Sequence, residues 1–370
     1  VSGSVLIWRS SMLPASETFV RAQGLALTAW QPTFGGAVKV ESPVAADSDL
    51  IVFPETSVGR RALLALKLTG RSALLRATLR RLSPDLVHAH FAGDGWMISA
   101  DAAESRIPLI VTVHGYDVTR LPRESGPRGV RYRHHLRTVF ARASLILAVS
   151  SYIRDKTIEL GADPAKVRVH HTGVALDPAP PAALAEKRWD LLFVGRFVEK
   201  KGVDDLLTAA AQVPGKPRML LIGGGPLEEP MRQRAAELGL DATFLGPQDP
   251  SVVRRSMAES RIFVSPSKTA ADGDSEGLPT TILEAASHGL PTVSTMHSGI
   301  PEAVRHDETG LLGPEGDPGA LAADLRRLLA DPALCDAMGE RARAYVAEHF
   351  DLARQTAELE KIYDSVARPR

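Results

Sequence analysis

The chain has 370 residues, 44% of them hydrophobic and 24% charged, the balance of an ordinary globular protein long enough for two domains. Its single cysteine, Cys335, excludes an internal disulfide and a cysteine-built metal site, and suits a reducing compartment. The net charge of zero is unevenly spread: residues 1–180 carry 22 Lys/Arg against 15 Asp/Glu and the remainder 22 against 29, so the first half has the more anion-friendly surface.

Short apolar runs alternate with helical patterns along the chain, the signature of parallel α/β layers. The first half predicts strands at Val5–Trp8, Leu50–Phe53, Leu86–His90, Leu109–His114, Leu145–Ser150 and Val167–His171. Helical patterns fall at Glu17–Ala29, Arg60–Leu82 (split by Gly70), Gly129–Ala143 and Ser151–Leu160. The prolines 178, 180 and 181 mark an interdomain linker over 174–188. A second series predicts strands at Asp190–Val194, Met219–Gly223, Thr243–Leu245, Ile262–Ser265, Pro291–Ser294 and Gly310–Leu312. Helices are predicted at Val203–Gln212, Glu228–Leu238, Pro250–Glu259 and Thr280–His288. The last sixty residues read as helical throughout. The expected architecture is two doubly wound domains with a cleft between them: 1–173, a linker, 189–350, and a C-terminal helix over 351–370 that returns to the first domain. In such sheets ligands sit beyond the carboxyl ends of the strands.

The post-strand loops carry the chemistry. Asp272–Glu284 (DGDSEGLPTTILE) puts an acidic loop ahead of a helix, with Pro279 at its start and Gly289 at its end. Glu276 precedes the helix and Glu284 lies a turn inside it. Helix side chains lean toward the N-terminus, so both carboxylates border one space beside free N–H groups. Two carboxylates repel a phosphate but accept hydrogen bonds from hydroxyls, as a ligand bearing both groups, such as a nucleotide sugar, requires. An acidic loop capping an ordinary helix is the competing reading. Arg196 and Lys201, in GRFVEKKG after a strand, can neutralise a diphosphate; a solvated charged turn is the alternative. Gly223-Gly224-Gly225-Pro226 reads first as a tight turn, and no G-x-G-x-x-G occurs, which argues against a nicotinamide enzyme. His114, ending TVHG, can bond a sugar hydroxyl or move a proton. His88 and His90 share a strand face without a third metal ligand. Asp272-Gly273-Asp274 matches a three-residue cation-chelating pattern, but Arg196 and Lys201 already offer positive charge, so no metal is expected.

Thr56–Pro84 holds seven basic residues and no acid, among many leucines, and Arg120, Arg123, Arg128, Arg131, Arg133 and Arg137 form a second basic cluster. These leave open an anionic acceptor or peripheral contact with a membrane's inner face; a core-facing helix with a solvated basic side is the plainer reading. No apolar run approaches the ~18 residues that span a bilayer, and no leader pattern opens the chain, so a cytoplasmic location is expected. Aromatic content of 5% and the lack of a binding motif argue against nucleic acid.

Together SETF (Ser16–Phe19), VHAHF (Val87–Phe91), TVHG, VGRFVEKKG, GGGP, EGLPTTILE and EAASHGLPTVST resemble glycosyltransferase family 4, the retaining, nucleotide-sugar-dependent enzymes of GT-B fold. HSGIPEAV (His297–Val304) is similar to the colanic-acid and exopolysaccharide branch. The resemblance implies hexosyl transfer, commonly from a UDP-sugar, to a glycan, a lipid-linked sugar or a small molecule, with no metal or other cofactor. It implies a donor site of Arg196, Lys201, Gly223, Glu276, Gly277, Leu278, Pro279 and Glu284. Within it Arg196 and Lys201 hold the diphosphate, Glu276 the sugar and Glu284 the ribose, with the base near Phe244–Gln248. His114 joins Glu276, Arg196 and Lys201 in the catalytic set. An acceptor side is carried over to Ser16, Glu17, His90 and Asp117. One departure stands out: many members carry paired glycines after the first strand, where this chain reads Arg9 to Ser16, and Ser16 could instead cap the next helix. An epimerase of the same fold and a non-catalytic glycan- or lipid-binding protein remain rivals.

Overall fold

The computed structural model describes residues 3–14, 16–176 and 187–367. The chain forms two compact units, Val1–Gly173 together with Leu352–Arg370, and Val174–Asp351. Most of the expected linker, residues 177–186, lies outside the described residues.

The first unit is built on a seven-stranded parallel sheet of β1 (Gly3–Met12), β2 (Trp30–Lys39), β3 (Leu50–Ile51), β4 (Leu86–His90), β5 (Leu109–Val113), β6 (Leu145–Ala148) and β7 (Val167–Val169). The strand order is β3-β2-β1-β4-β5-β6-β7. Strands β4, β5 and β6 are buried at every residue, as expected where helices cover both faces. β2 has no counterpart among the predicted strands, because Pro32, Gly35 and Gly36 break its apolar pattern. The glycines are there for space: a Cβ on Gly35 would lie 2.8 Å from Leu6, and one on Gly36 would lie 2.6 Å from Met12 on neighbouring β1. The helix Ala92–Glu104 also had no prediction; ten of its residues are buried, so it lacks the one-sided pattern that marks a surface helix. Arg60–Leu82 divides at left-handed Gly70 into Ser57–Thr69 and Ala73–Leu82, capped by the Thr56 and Ser72 hydroxyls. Ser16 does not cap the first helix. The N-cap position of Thr18–Leu25 falls on Glu17, which makes no cap bond because Arg9 holds its carboxylate.

The last helix, Leu352–Val366, is part of this first unit. Glu360 accepts hydrogen bonds from the amides of Thr28, Ala29 and Trp30 at 2.7, 2.6 and 3.2 Å. The ring of Tyr363 meets Trp30 edge-on at 5.2 Å, and its hydroxyl lies 2.6 Å from His88 Nδ1.

The second unit carries a six-stranded parallel sheet of β8 (Trp189–Val194), β9 (Met219–Ile222), β10 (Ala242–Gly246), β11 (Ser260–Ser265), β12 (Thr292–Thr295) and β13 (Gly310–Gly313), in the order β10-β9-β8-β11-β12-β13. Each overlaps a predicted strand. Phe193, Leu207, Leu221, Val264 and Leu325 lie at the centre of its core. In both sheets the strand order reverses once, between β1 and β4 and between β8 and β11. In open α/β sheets such a reversal point is where ligands bind, beyond the carboxyl ends of the strands.

Candidate active site

In the second unit the reversal point brings two of the singled-out stretches together. The loop after β8 contains Arg196 and Lys201, and the loop after β11 contains Glu276. Lys201 Nζ lies 3.0 Å from Glu276 Oε1 with both side chains largely buried; the contact is a charge pairing rather than an aligned hydrogen bond. Burial alone would raise the Glu276 carboxyl. The ammonium groups of Lys201 and Lys200 outweigh it and hold the group down at about 2, so Glu276 is a carboxylate at any working pH. Arg196 is exposed at the mouth of the same loop and makes no side-chain hydrogen bond or ion pair among the described residues.

Lys200, to which the sequence reading gave no role, is the fastener of this region. Its ammonium bonds Asp274 Oδ1 at 3.0 Å and the Ser275 carbonyl at 3.3 Å, and its own carbonyl accepts from the Lys268 amide. Asp272 accepts from the Asp274 amide, Asp274 pairs with Lys200, and no cluster of three potential metal ligands forms among the described residues.

The helix Thr280–Ser287 starts directly after Pro279, which takes the N-cap position, and Gly289 ends it at φ +76°. Glu284, in the second turn, has no hydrogen bond or ion pair for its carboxylate among the described residues. Its side chain reaches solvent at one edge but is otherwise enclosed, and burial pushes its pKa up to about 7, with Arg254 pulling weakly the other way. An enclosed carboxyl without a protein partner suits hydroxyl ligands. Leu278 is buried.

The triple glycine packs against the Arg196 loop. The Phe197 amide donates to the Gly224 carbonyl and the Gly195 amide to the Ile222 carbonyl, while Gly223 donates to Gly246 at the end of β10. Gly223 sits at φ +132°, and a Cβ there would lie 1.9 Å from the Gly195 carbonyl oxygen. Only glycine fits. This turn therefore joins the loop after β8 to the 244–248 stretch, where Phe244 lies 5.9 Å from Phe197.

In the first unit the equivalent strand ends hold a different cluster. Arg9, near the end of β1, forms a two-pronged bond to Glu17 (2.6 and 2.5 Å), pairs with Asp94, and stacks on Phe91 at 4.3 Å. His90 Nδ1 lies 3.1 Å from His114 Nε2, and His88 bridges Tyr363 and the Thr112 hydroxyl. Burial pushes His88 and His114 down to about 3 and His90 well below its ordinary value, so all three imidazoles are neutral. Asp117 accepts from the amides of Ala92, His114 and Gly115, so its carboxylate is committed to the backbone that positions His114. Glu17 is likewise committed to Arg9, and Ser16 is exposed.

Residues 179–345 match the glycosyl transferases group 1 family and residues 21–178 match glycosyltransferase family 4. The chain is 32% identical over 307 residues to the amylovoran biosynthesis glycosyltransferase AmsK of Erwinia amylovora, covering 78% of this chain and 72% of that one. The chain belongs to glycosyltransferase family 4. This glycosyltransferase is also 30% identical over 312 residues to WcaL of Salmonella typhimurium, a putative colanic acid biosynthesis glycosyltransferase, across 78% of this chain and 74% of the relative. These relatives agree with the exopolysaccharide branch that HSGIPEAV suggested. Anabaena Alr3699/HepE, solved in complex with UDP and glucose, superimposes with a TM-score of 0.77 at 18% identity, covering 98% of this chain and 100% of that one. The fold of the glycosyltransferase is GT-B.

Proposed function

We propose that this glycosyltransferase moves a hexosyl unit from a UDP-sugar to a hydroxyl of a glycan or lipid-linked sugar, with retention at the anomeric carbon. The observation that carries the reading is the buried Lys201–Glu276 pair, a permanent carboxylate and an ammonium side by side at the head of a helix. The carboxylate and the enclosed Glu284 suit the hydroxyls of sugar and ribose, and Lys201 with the exposed Arg196 suits the diphosphate. That HepE was solved with UDP and glucose supports the donor class, and the roles named for AmsK and WcaL support a glycan acceptor.

In the proposed reaction the anomeric carbon–phosphate oxygen bond breaks as the acceptor oxygen bonds the same face. The acceptor proton passes to the departing diphosphate, whose charge Arg196 and Lys201 stabilise. No side chain acts as nucleophile. Neutral His114 is proposed to bond a donor-sugar hydroxyl, and the two cations to serve where other transferases use a divalent ion. The test is a panel of nucleotide sugars with and without acceptor, read by mass spectrometry and by the product's anomeric coupling. Turnover should need a UDP-hexose, persist in EDTA and retain configuration. Donor isomerisation without acceptor would replace this reading with an epimerase, and inversion would remove the same-face step.

The basic face is proposed to rest on anionic lipid. Val58, Leu64 and Leu68 are 73%, 57% and 60% exposed on the helix Ser57–Thr69. Arg60, Arg61 and Lys67 on that helix make no ion pair among the described residues, and no helix described is long and apolar enough to cross a membrane. Co-sedimentation with phosphatidylglycerol vesicles but not phosphatidylcholine vesicles, weakened by salt, is the expected result; equal behaviour with both would remove it.

A further inference from the structure

His297 is 1% exposed, in the loop after β12, and both its ring nitrogens are engaged. The Glu276 backbone N–H donates to His297 Nε2 at 3.1 Å, so that nitrogen carries no proton. The Nδ1–H therefore donates to Glu315 Oε1 at 2.7 Å, and Glu315 Oε2 accepts the Thr269 amide at 2.8 Å. Lys201 follows β8, Glu276 follows β11, His297 follows β12 and Glu315 follows β13, four strands that are consecutive neighbours in the sheet. A line of contacts thus runs along the carboxyl edge, Lys201–Glu276–His297–Glu315, and returns through Thr269 to the Glu276 loop.

We propose that His297, oriented by Glu315, is a positioning residue of the transfer reaction: it fixes the Glu276 main chain so that the carboxylate stays against Lys201. The inference rests on the transferase reading above. One consequence is that the Glu276 N–H is spent inside the protein, and any amide contribution to donor binding begins beyond it. A second is that the essential contact is the acceptor at Nε2, with Glu315 acting through the tautomer it imposes.

Two substitutions separate the two nitrogens. In His297→Gln the side-chain oxygen reaches the Nε2 position and can accept the Glu276 amide. His297→Asn keeps a donor near Nδ1 for Glu315 but falls short of that amide. Kinetics are read on the full chain with its best UDP-sugar, beside hydrogen exchange of peptides spanning 270–283 and melting temperature. H297N should lose about 100-fold in kcat with the donor KM little changed, as expected for a misplaced reacting group. H297Q should recover most of that rate. Exchange at the Glu276 amide should quicken in H297N and stay slow in H297Q. Glu315→Ala, at a partly exposed position, should lower kcat in the same direction but less. Equal kinetics in H297N and H297Q, or unchanged exchange in H297N, would overturn the proposal. Absence of sugar transfer by the parent would overturn the transferase reading instead, and the exchange comparison would still report on the His297–Glu276 contact.

Discussion

At the scale of the residue, the two carboxylates of the E-x7-E pair have opposite electrostatic fates. Glu276 is held at about 2 by two lysines, and Glu284, without an ion pair among the described residues, is lifted to about 7 by burial. Glu276→Gln keeps the shape and removes the charge, and is expected to cut transfer by about 10²–10³-fold while circular dichroism stays unchanged. Turnover near the parent's would sink the assignment. The folded-state value of Glu276 lies below its ordinary 4.5, so its stabilisation is present above about pH 4.5 and is lost as pH falls through about 2. Glu284 has the opposite sign. Its folded value lies above 4.5, so its stabilisation is full below about pH 4.5 and is lost as pH rises through about 7. Urea titrations of Glu284→Gln should therefore show a flatter dependence of stability on pH between about 5 and 7 than the parent. An unchanged slope would mean that Glu284 is solvated.

At the scale of the element, the site is a set of loop-to-loop fits rather than a single motif. The turn after β9 must pass so close to the loop after β8 that Gly223 has no room for a Cβ. Gly223→Ala is expected to cost about 3 kcal/mol or more, from positive φ and backbone collision together, and to weaken donor binding by moving Arg196. Denaturant unfolding and UDP calorimetry would measure the two effects. The triple glycine, the GRFVEKKG loop and the E-x7-E pair were all legible in the sequence because each states its own local requirement. In sequence Lys200 is one of two adjacent lysines, and nothing local tells them apart. Only the direction in which the loop leaves β8 turns Lys200 inward to Asp274 and Lys201 to Glu276. His297 was legible as part of a branch signature but not as a partner of Glu276, twenty-one residues earlier, since their contact arises from the adjacency of β11 and β12.

For the whole molecule, the clearest long-range device is the return of the last helix to the first unit. Glu360 satisfies three consecutive amides at the start of β2. Glu360→Ala would leave those donors unpaired beside buried Trp30, and should lower the stability of the first unit by about 2–4 kcal/mol. Hydrogen exchange should report it at residues 28–30 and in the second half of the helix Leu352–Val366; protection equal to the parent's at both would contradict the account.

The sequence by itself determined two parallel α/β units, every described strand but β2 in outline, the family, and the loop cations and carboxylates that the proposed function draws on, because hydrophobic period and loop chemistry are local properties. It did not yield β2, whose glycines answer to β1, or the buried helix Ala92–Glu104, whose pattern has no polar side to read. It also could not say which charges meet. The pairings of Lys201 with Glu276, Lys200 with Asp274, Arg9 with Glu17 and Asp94, and His297 with the Glu276 amide exist only where parallel strands distant in sequence end side by side, and tertiary structure alone decides that.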